Sequence, residues 1–211
     1  VSEGVIRDDE DDEWVTAMAT TEPTTGRTVL PGVPPFTVDD LLKFPDDGNR
    51  YELFNGSLLV GPAPTPLHQR AIARALIILD RASPPDLEAL TTVNLRVSDK
   101  DFYIPDLVVV PPASVEAVRL MFSPSDIRLA VEVVSPSTQA RDGHLKTEAY
   151  AAAGIPVYWR IEVAEGPTLY VYELDGKTYR SPSAYKAGAT VTLHQPYPVS
   201  FDPAELIERR G

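Results

Sequence analysis

The chain has 211 residues, 43% of them hydrophobic, a net charge of −12 and no cysteine. That is enough apolar material for one domain with a real core, and it excludes disulfides and thiolate metal sites. The negative balance argues against a protein that coats nucleic acid. The three histidines, His68, His144 and His194, are scattered, so a bound metal would rely on oxygen ligands, as Mg2+, Mn2+ and Ca2+ do. No apolar run reaches the roughly 18 residues of a membrane span, and no secretory leader is visible. The expected compartment is the cytoplasm, with no membrane partner.

Residues 1–13, "VSEGVIRDDEDDE", hold seven acids against one arginine, half of the net charge. Such a block is expected to stay solvated and disordered, and "TEPTTGRTVLPGVPP" continues it with Thr, Pro and Gly. Residues 1–34 are therefore expected to lie outside the fold, with a single domain over 35–211. "FTVDDLLKFP" predicts a short helix capped by Thr37 and stopped by Pro45. "YELFNGSLLVGP" predicts a hairpin turning at Asn55-Gly56. "PLHQRAIARALIILDRA" predicts a helix with Leu67, Ala71, Ala75, Leu76 and Leu79 on one face.

Strands are expected over "LEALTTVNLRVS" and "DFYIPDLVVVPP", and a short helix over "VEAVRLMF". "RLAVEVVS" reads as a central strand whose apolar run is broken by Glu132. "DGHLKTEAYAAAG" predicts a helix with Asp142 near its start and Gly154 at its end. "VYWRIEV" and "TLYVYELDGKTY" add strands, the second turning at Asp175-Gly176, and "ATVTL" and "PAELIERR" add a last strand and a turn of helix. The order predicts an α/β domain: a central mixed sheet flanked by helices, with extra hairpin strands on its N-terminal side.

Asp106 and Glu132 are each the charge beside an apolar strand run. An unpaired carboxylate there would take up a proton or recruit a partner. If the two strands are neighbours, the carboxylates converge and offer oxygens to a hard divalent cation. Lys146 follows Glu132 by fourteen residues, on the next helix. That interval is long enough to leave the strand, turn, and bring an ammonium back across the strand end, where it can stabilise developing charge. Asp142, four residues before Lys146, can pair with it along the helix. Ser135, Ser137 and Thr138 lack the histidine-acid arrangement or elbow of a nucleophile and read as helix-entry residues. No phosphate-cradling glycine loop is present.

Together, "YELFNGSLL", "HQRA", "IPDLVVV", "VEVVSPSTQARD" and "AAAGIPVYW" resemble the Uma-type putative restriction endonuclease family of the PD-(D/E)XK nuclease superfamily. The resemblance spans roughly residues 36–180. It implies a restriction-endonuclease-like core and hydrolysis of phosphodiester bonds in DNA with Mg2+ or Mn2+. Pro105-Asp106 stands for the PD element and Glu132 for the second acid. The usual lysine position, two residues after Glu132, is Val134 here, and Lys146 matches a lysine that has migrated to the helix. Glu52 matches an additional acid near the start of the core. His68 and Asp142 are expected to stand behind the metal ligands Asp106 and Glu132.

A nuclease with so acidic a surface needs local cations for DNA, and Arg70, Arg74, Arg96, Lys100 and Arg141 are the candidates. Exposed sheet edges allow a homodimer. The alternative is a catalytically inactive module of the same fold that binds or interacts without cutting.

Overall fold

In a computed structural model of the chain, the described residues are 30–61, 63–134 and 139–208, the last segment with its side chains from residue 145 onward. The chain divides into the units Val1–Pro31 and Gly32–Gly211, and every described element belongs to the second. The expected disorder of the acidic N-terminus falls on residues outside the described ones.

The first helix, α1 (Val38–Leu41), is a single turn. Thr37 caps it by a reciprocal pair of bonds: Thr37 Oγ1 accepts from the Asp40 N–H, and Asp40 Oδ2 accepts from the Thr37 N–H at 3.0 Å. The helix ends at Leu41, before Pro45 can act on it. Strands β1 (Arg50–Phe54) and β2 (Ser57–Gly61) form the expected hairpin. Asn55 and Gly56 both have positive φ, 49° and 76°, as the two-residue hairpin turn demands. At Gly56 the restriction is also steric, because a Cβ there would lie 2.6 Å from the Pro35 side chain.

Helix α2 (Pro66–Ala82) starts at an N-cap, Thr65, and buries Ala71, Ile72, Ala75 and Leu79. Leu67 and Leu76 of the expected face are only partly buried. The two strands expected next are each broken in two. "LEALTTVNLRVS" gives β3 (Glu88–Thr91) and β4 (Leu95–Arg96), interrupted at Thr92, which takes φ 55°. "DFYIPDLVVVPP" gives β5 (Phe102–Tyr103) and β6 (Leu107–Val110), interrupted at Ile104-Pro105-Asp106. Pro105 has no N–H to give a ladder, and at that corner the chain passes from one sheet to another. Helix α3 (Pro112–Ala117) starts and stops earlier than expected, at a proline that supplies a helical first φ. Phe122 instead bridges to Leu95.

Strand β7 (Leu129–Val134), helix α4 (Gln139–Ala152) and strand β8 (Val157–Glu162) form a parallel crossover. Strands β9 (Thr168–Asp175) and β10 (Thr178–Tyr179) turn at Asp175-Gly176 as expected. An edge strand the sequence did not announce, β11 (Ser183–Lys186), pairs with β9. "ATVTL" forms β12 (Val191–Leu193), paired with β13 (Val199–Phe201), and a 3-10 turn follows at Pro203–Leu206.

The large sheet runs β10-β9-β8-β7-β6-β3 and the small one β2-β1-β5-β4. Only the β7–β8 pair of the large sheet is parallel, so the sheet is mixed. Alternation sets its two faces. Leu129, Val131, Val133, Trp159 and Ile161 pack with Ala71, Ala75 and Leu79 of α2. Ala130, Val108, Tyr158 and Tyr172 pack with Tyr150 of α4. The fold is α/β, a central mixed sheet flanked by helices and carrying an N-terminal hairpin.

Candidate functional site

Strands β6 and β7 are antiparallel neighbours, with Leu107 opposite Val131. One step beyond that pair in the register come Asp106 and Glu132. Among the described residues these are the buried charged side chains, 4% and 7% exposed. Asp106 is held at the sheet-changing corner: its Oδ2 accepts from the Val133 N–H at 2.9 Å and lies 3.2 Å from His68 Nε2. His68 reaches it from the first turn of α2, where Thr65 fixes its backbone.

Lys146, on α4, sits between two carboxylates. Its Nζ is 2.8 Å from Glu132 Oε1 and 2.9 Å from Glu52 Oε1. The Tyr150 hydroxyl also donates to Glu132 Oε1, at 2.7 Å. Glu52 comes from β1 and accepts from the Ile104 N–H, while Arg50 donates to the Ile104 carbonyl at 2.9 Å. The two β1 side chains thus grip the backbone of Ile104 on both sides, two residues before Asp106, and an Arg50 nitrogen lies 3.6 Å from Asp106 Oδ1.

Five sequence-predicted residues, Glu52, His68, Asp106, Glu132 and Lys146, therefore meet at one point. Lys146 pairs with Glu132 and Glu52, and the Asp142 side chain, its expected partner, lies outside the described ones, as do Ser135, Ser137, Thr138 and the side chain of Arg141. Among the expected DNA-facing cations, Arg70 and Arg74 donate to the Ile207 and Glu208 carbonyls, and Arg96 pairs with Asp99 and Asp39. Arg160, beside Glu132 in the ladder, turns to Glu162 and lies 4.5 Å over the Tyr170 ring.

Two members of the cluster escaped the sequence reading. Tyr150 is four residues after Lys146 and so shares its helix face. Arg50 is two residues before Glu52 and shares its strand face.

Three carboxylates share this space. Burial pushes the Glu132 carboxyl up; Lys146 opposes that, but the charges of Asp106 and Glu52 add to it, and the group rises from the ordinary 4.5 to about 7. Burial alone would draw the Lys146 ammonium down, yet Glu132 and Glu52 outweigh it and raise the group. Burial also pushes Asp106 up, but the His68 and Val133 hydrogen bonds hold it below its usual range. His68 is raised by its bond to Asp106 against the effect of burial.

These shifts carry a sign. Glu132 and His68 bind protons more tightly folded than unfolded, so their stabilisation is complete below the ordinary values and is lost as pH rises through the raised ones. For Glu132 the window is 4.5 to about 7. Asp106 works oppositely, but its window lies below 3.8. Chelator-treated protein is expected to melt at a lower temperature at about pH 7.5 than at about pH 5.5, with a shallower fall in Glu132→Gln. Melting that rises over this interval, or a fall unchanged in the variant, would remove Glu132 as its source.

Among the described residues, no three His, Cys, Asp or Glu side chains cage a metal by themselves. The donors still suit one kind of ion. Mg2+ and Mn2+ accept one or two carboxylates and fill their remaining positions with water and phosphate oxygens. Asp106 and Glu132 could supply such a pair.

Residues 38–205 match the family model described as "Uma2: Putative restriction endonuclease". Among solved structures, the chain is similar to a putative nuclease belonging to DUF820 from Anabaena variabilis. The TM-score is 0.65 at 17% identity, over 82% of this chain and 98% of that one, a likeness of fold alone. No protein of curated function matches.

Proposed function

Because this chain belongs to the Uma2 family of restriction endonuclease-like proteins, we propose that it is a metal-dependent endonuclease hydrolysing phosphodiester bonds in DNA. The observation that carries the reading is the pair of buried carboxylates, Asp106 and Glu132, on neighbouring strands, with Glu132 sharing the Lys146 ammonium with Glu52. Asp106 and Glu132 would hold Mg2+ or Mn2+. The cation, when bound, supplies positive charge to an oxygen of the scissile phosphate.

The protein's own groups do the rest. His68 and the Val133 N–H keep Asp106 ionised and aimed. The Tyr150 hydroxyl fixes Glu132, and Glu52 anchors Lys146. Lys146 then presents a preorganised charge where negative charge grows in the transition state. Its buried setting makes that charge count for more than it would in water.

The test is incubation with supercoiled plasmid, linear duplex and single-stranded DNA in Mg2+, in Mn2+ and in chelator. Cleavage that needs the ion and vanishes in chelator is expected. A protein that gains thermal stability from Mn2+ yet cuts no nucleic acid would instead be a catalytically inactive binding module.

A further inference from the structure

The cations of the site differ in access. Lys146 is 12% exposed and has a carboxylate oxygen within 2.9 Å on either side. It is committed to holding the cluster together. Arg50 is 32% exposed, and its nearest carboxylate oxygen, Asp106 Oδ1, is 3.6 Å away, too far for a hydrogen bond. The hydrogen bond that fixes it goes to the Ile104 carbonyl. A guanidinium has five N–H donors in a planar fork, so most of its capacity remains for another acceptor. It also lies beside Asp106, on the oxygen opposite the one that His68 approaches, at the corner between the two sheets.

We propose that Arg50 is the substrate-contacting cation of this site, receiving a non-bridging oxygen of the nucleic-acid phosphate that lies against Asp106. The inference rests on the nuclease reading. A phosphate drawn to Asp106 by a cation would place its outer oxygens within reach of the fork, whose geometry suits two of them at once. The anchor on Ile104 aims the fork, and the 3.6 Å ion pair with Asp106 leaves N–H donors for another acceptor. Lys146 thereby becomes a positioning and charge-stabilising group behind the carboxylates, and Arg50 is the group that meets the substrate's backbone.

The experiment measures binding of fluorescent duplex and single-stranded oligonucleotides in Ca2+, a hard cation of the same ligand preference, over a range of salt. Arg50→Gln is expected to weaken binding about 10- to 100-fold. It should also lower the slope of log affinity against log salt by about 0.9 for duplex or about 0.7 for single strands, the signature of one lost phosphate contact. Arg50→Lys should keep the slope and still bind more weakly, because the charge survives without the fork. Melting in chelator checks that both variants fold; if Arg50→Gln does not, the Arg50→Lys affinity decides, and a native value overturns the proposal. If the native protein binds and cleaves DNA while Arg50→Gln keeps native affinity and slope, Arg50 is only a counter-ion of Asp106. Its loss should then enlarge the Mn2+-induced rise in melting temperature. A native protein that binds no oligonucleotide and cleaves none overturns the nuclease reading itself.

Discussion

Lys146→Ala is expected to slow DNA cleavage by about 100- to 1,000-fold and to destabilise the metal-free protein by roughly 3–5 kcal/mol. Both effects follow from the bridge it makes, 2.8 Å to Glu132 and 2.9 Å to Glu52. Without the ammonium, two carboxylates aim at one buried point with nothing between them. A divalent cation can take over much of that neutralisation, so Mn2+ should raise the melting temperature of Lys146→Ala more than that of the native protein. It cannot replace the placed charge in the transition state, so cleavage should stay low at matched metal occupancy. Lys146→Arg should recover little, since a planar fork does not fit the point between two oxygens that a compact ammonium occupies. Native cleavage by Lys146→Ala would reduce the lysine to a structural tie.

Glu132→Gln is expected to move stability and activity in opposite directions. The amide keeps the shape and still accepts from Lys146 and Tyr150, but it removes one of three crowded carboxylates. Burial and those neighbours raise Glu132 to about 7, so at about pH 8 the native protein holds a charge that its surroundings resist. Removing it should stabilise chelator-treated protein by roughly 1–3 kcal/mol. The same change deletes a metal donor. The Mn2+-induced rise in melting temperature should disappear, and cleavage should fall by about 1,000-fold or more. Melting curves in chelator and across an Mn2+ titration, beside a plasmid assay, read all three quantities. A native Mn2+ response in Glu132→Gln would place the ion elsewhere.

Much of this was legible because some residues admit few local structures. Asn55-Gly56 carries its turn in its own dihedral preferences, and a carboxylate inside "LAVEVV" demands a partner wherever the chain goes. The length of the crossover allowed Lys146 as that partner, and the resemblance pointed to the same residue. The breaks were harder. "DFYIPDLVVV" looks continuous because its apolar residues run on, but pairing in the small sheet stops at Tyr103 and pairing in the large sheet starts at Leu107, with Pro105 between them. The sequence also says nothing about which strands share a sheet, so Glu52 could be tied to the site by resemblance and not by geometry. Arg50 escaped because a charged residue at a hairpin's start is ordinarily solvated. Its spacing from Glu52 was the available clue, and it gains meaning only once Ile104 is known to lie opposite.

The grip of β1 on Ile104 has a further consequence. Glu132 belongs to the large sheet and Asp106 leads into it, and its β7 and β8 pair over five residues, whereas β1 joins β5 through the single pair Leu53 and Phe102. The site is therefore built from parts of unequal local stability. An excursion that loosens the hairpin withdraws Glu52 and Arg50 together and leaves the central carboxylates in place. On the nuclease reading, competence for chemistry would then be set by how often the hairpin is docked, and it could be lost while the core stays folded.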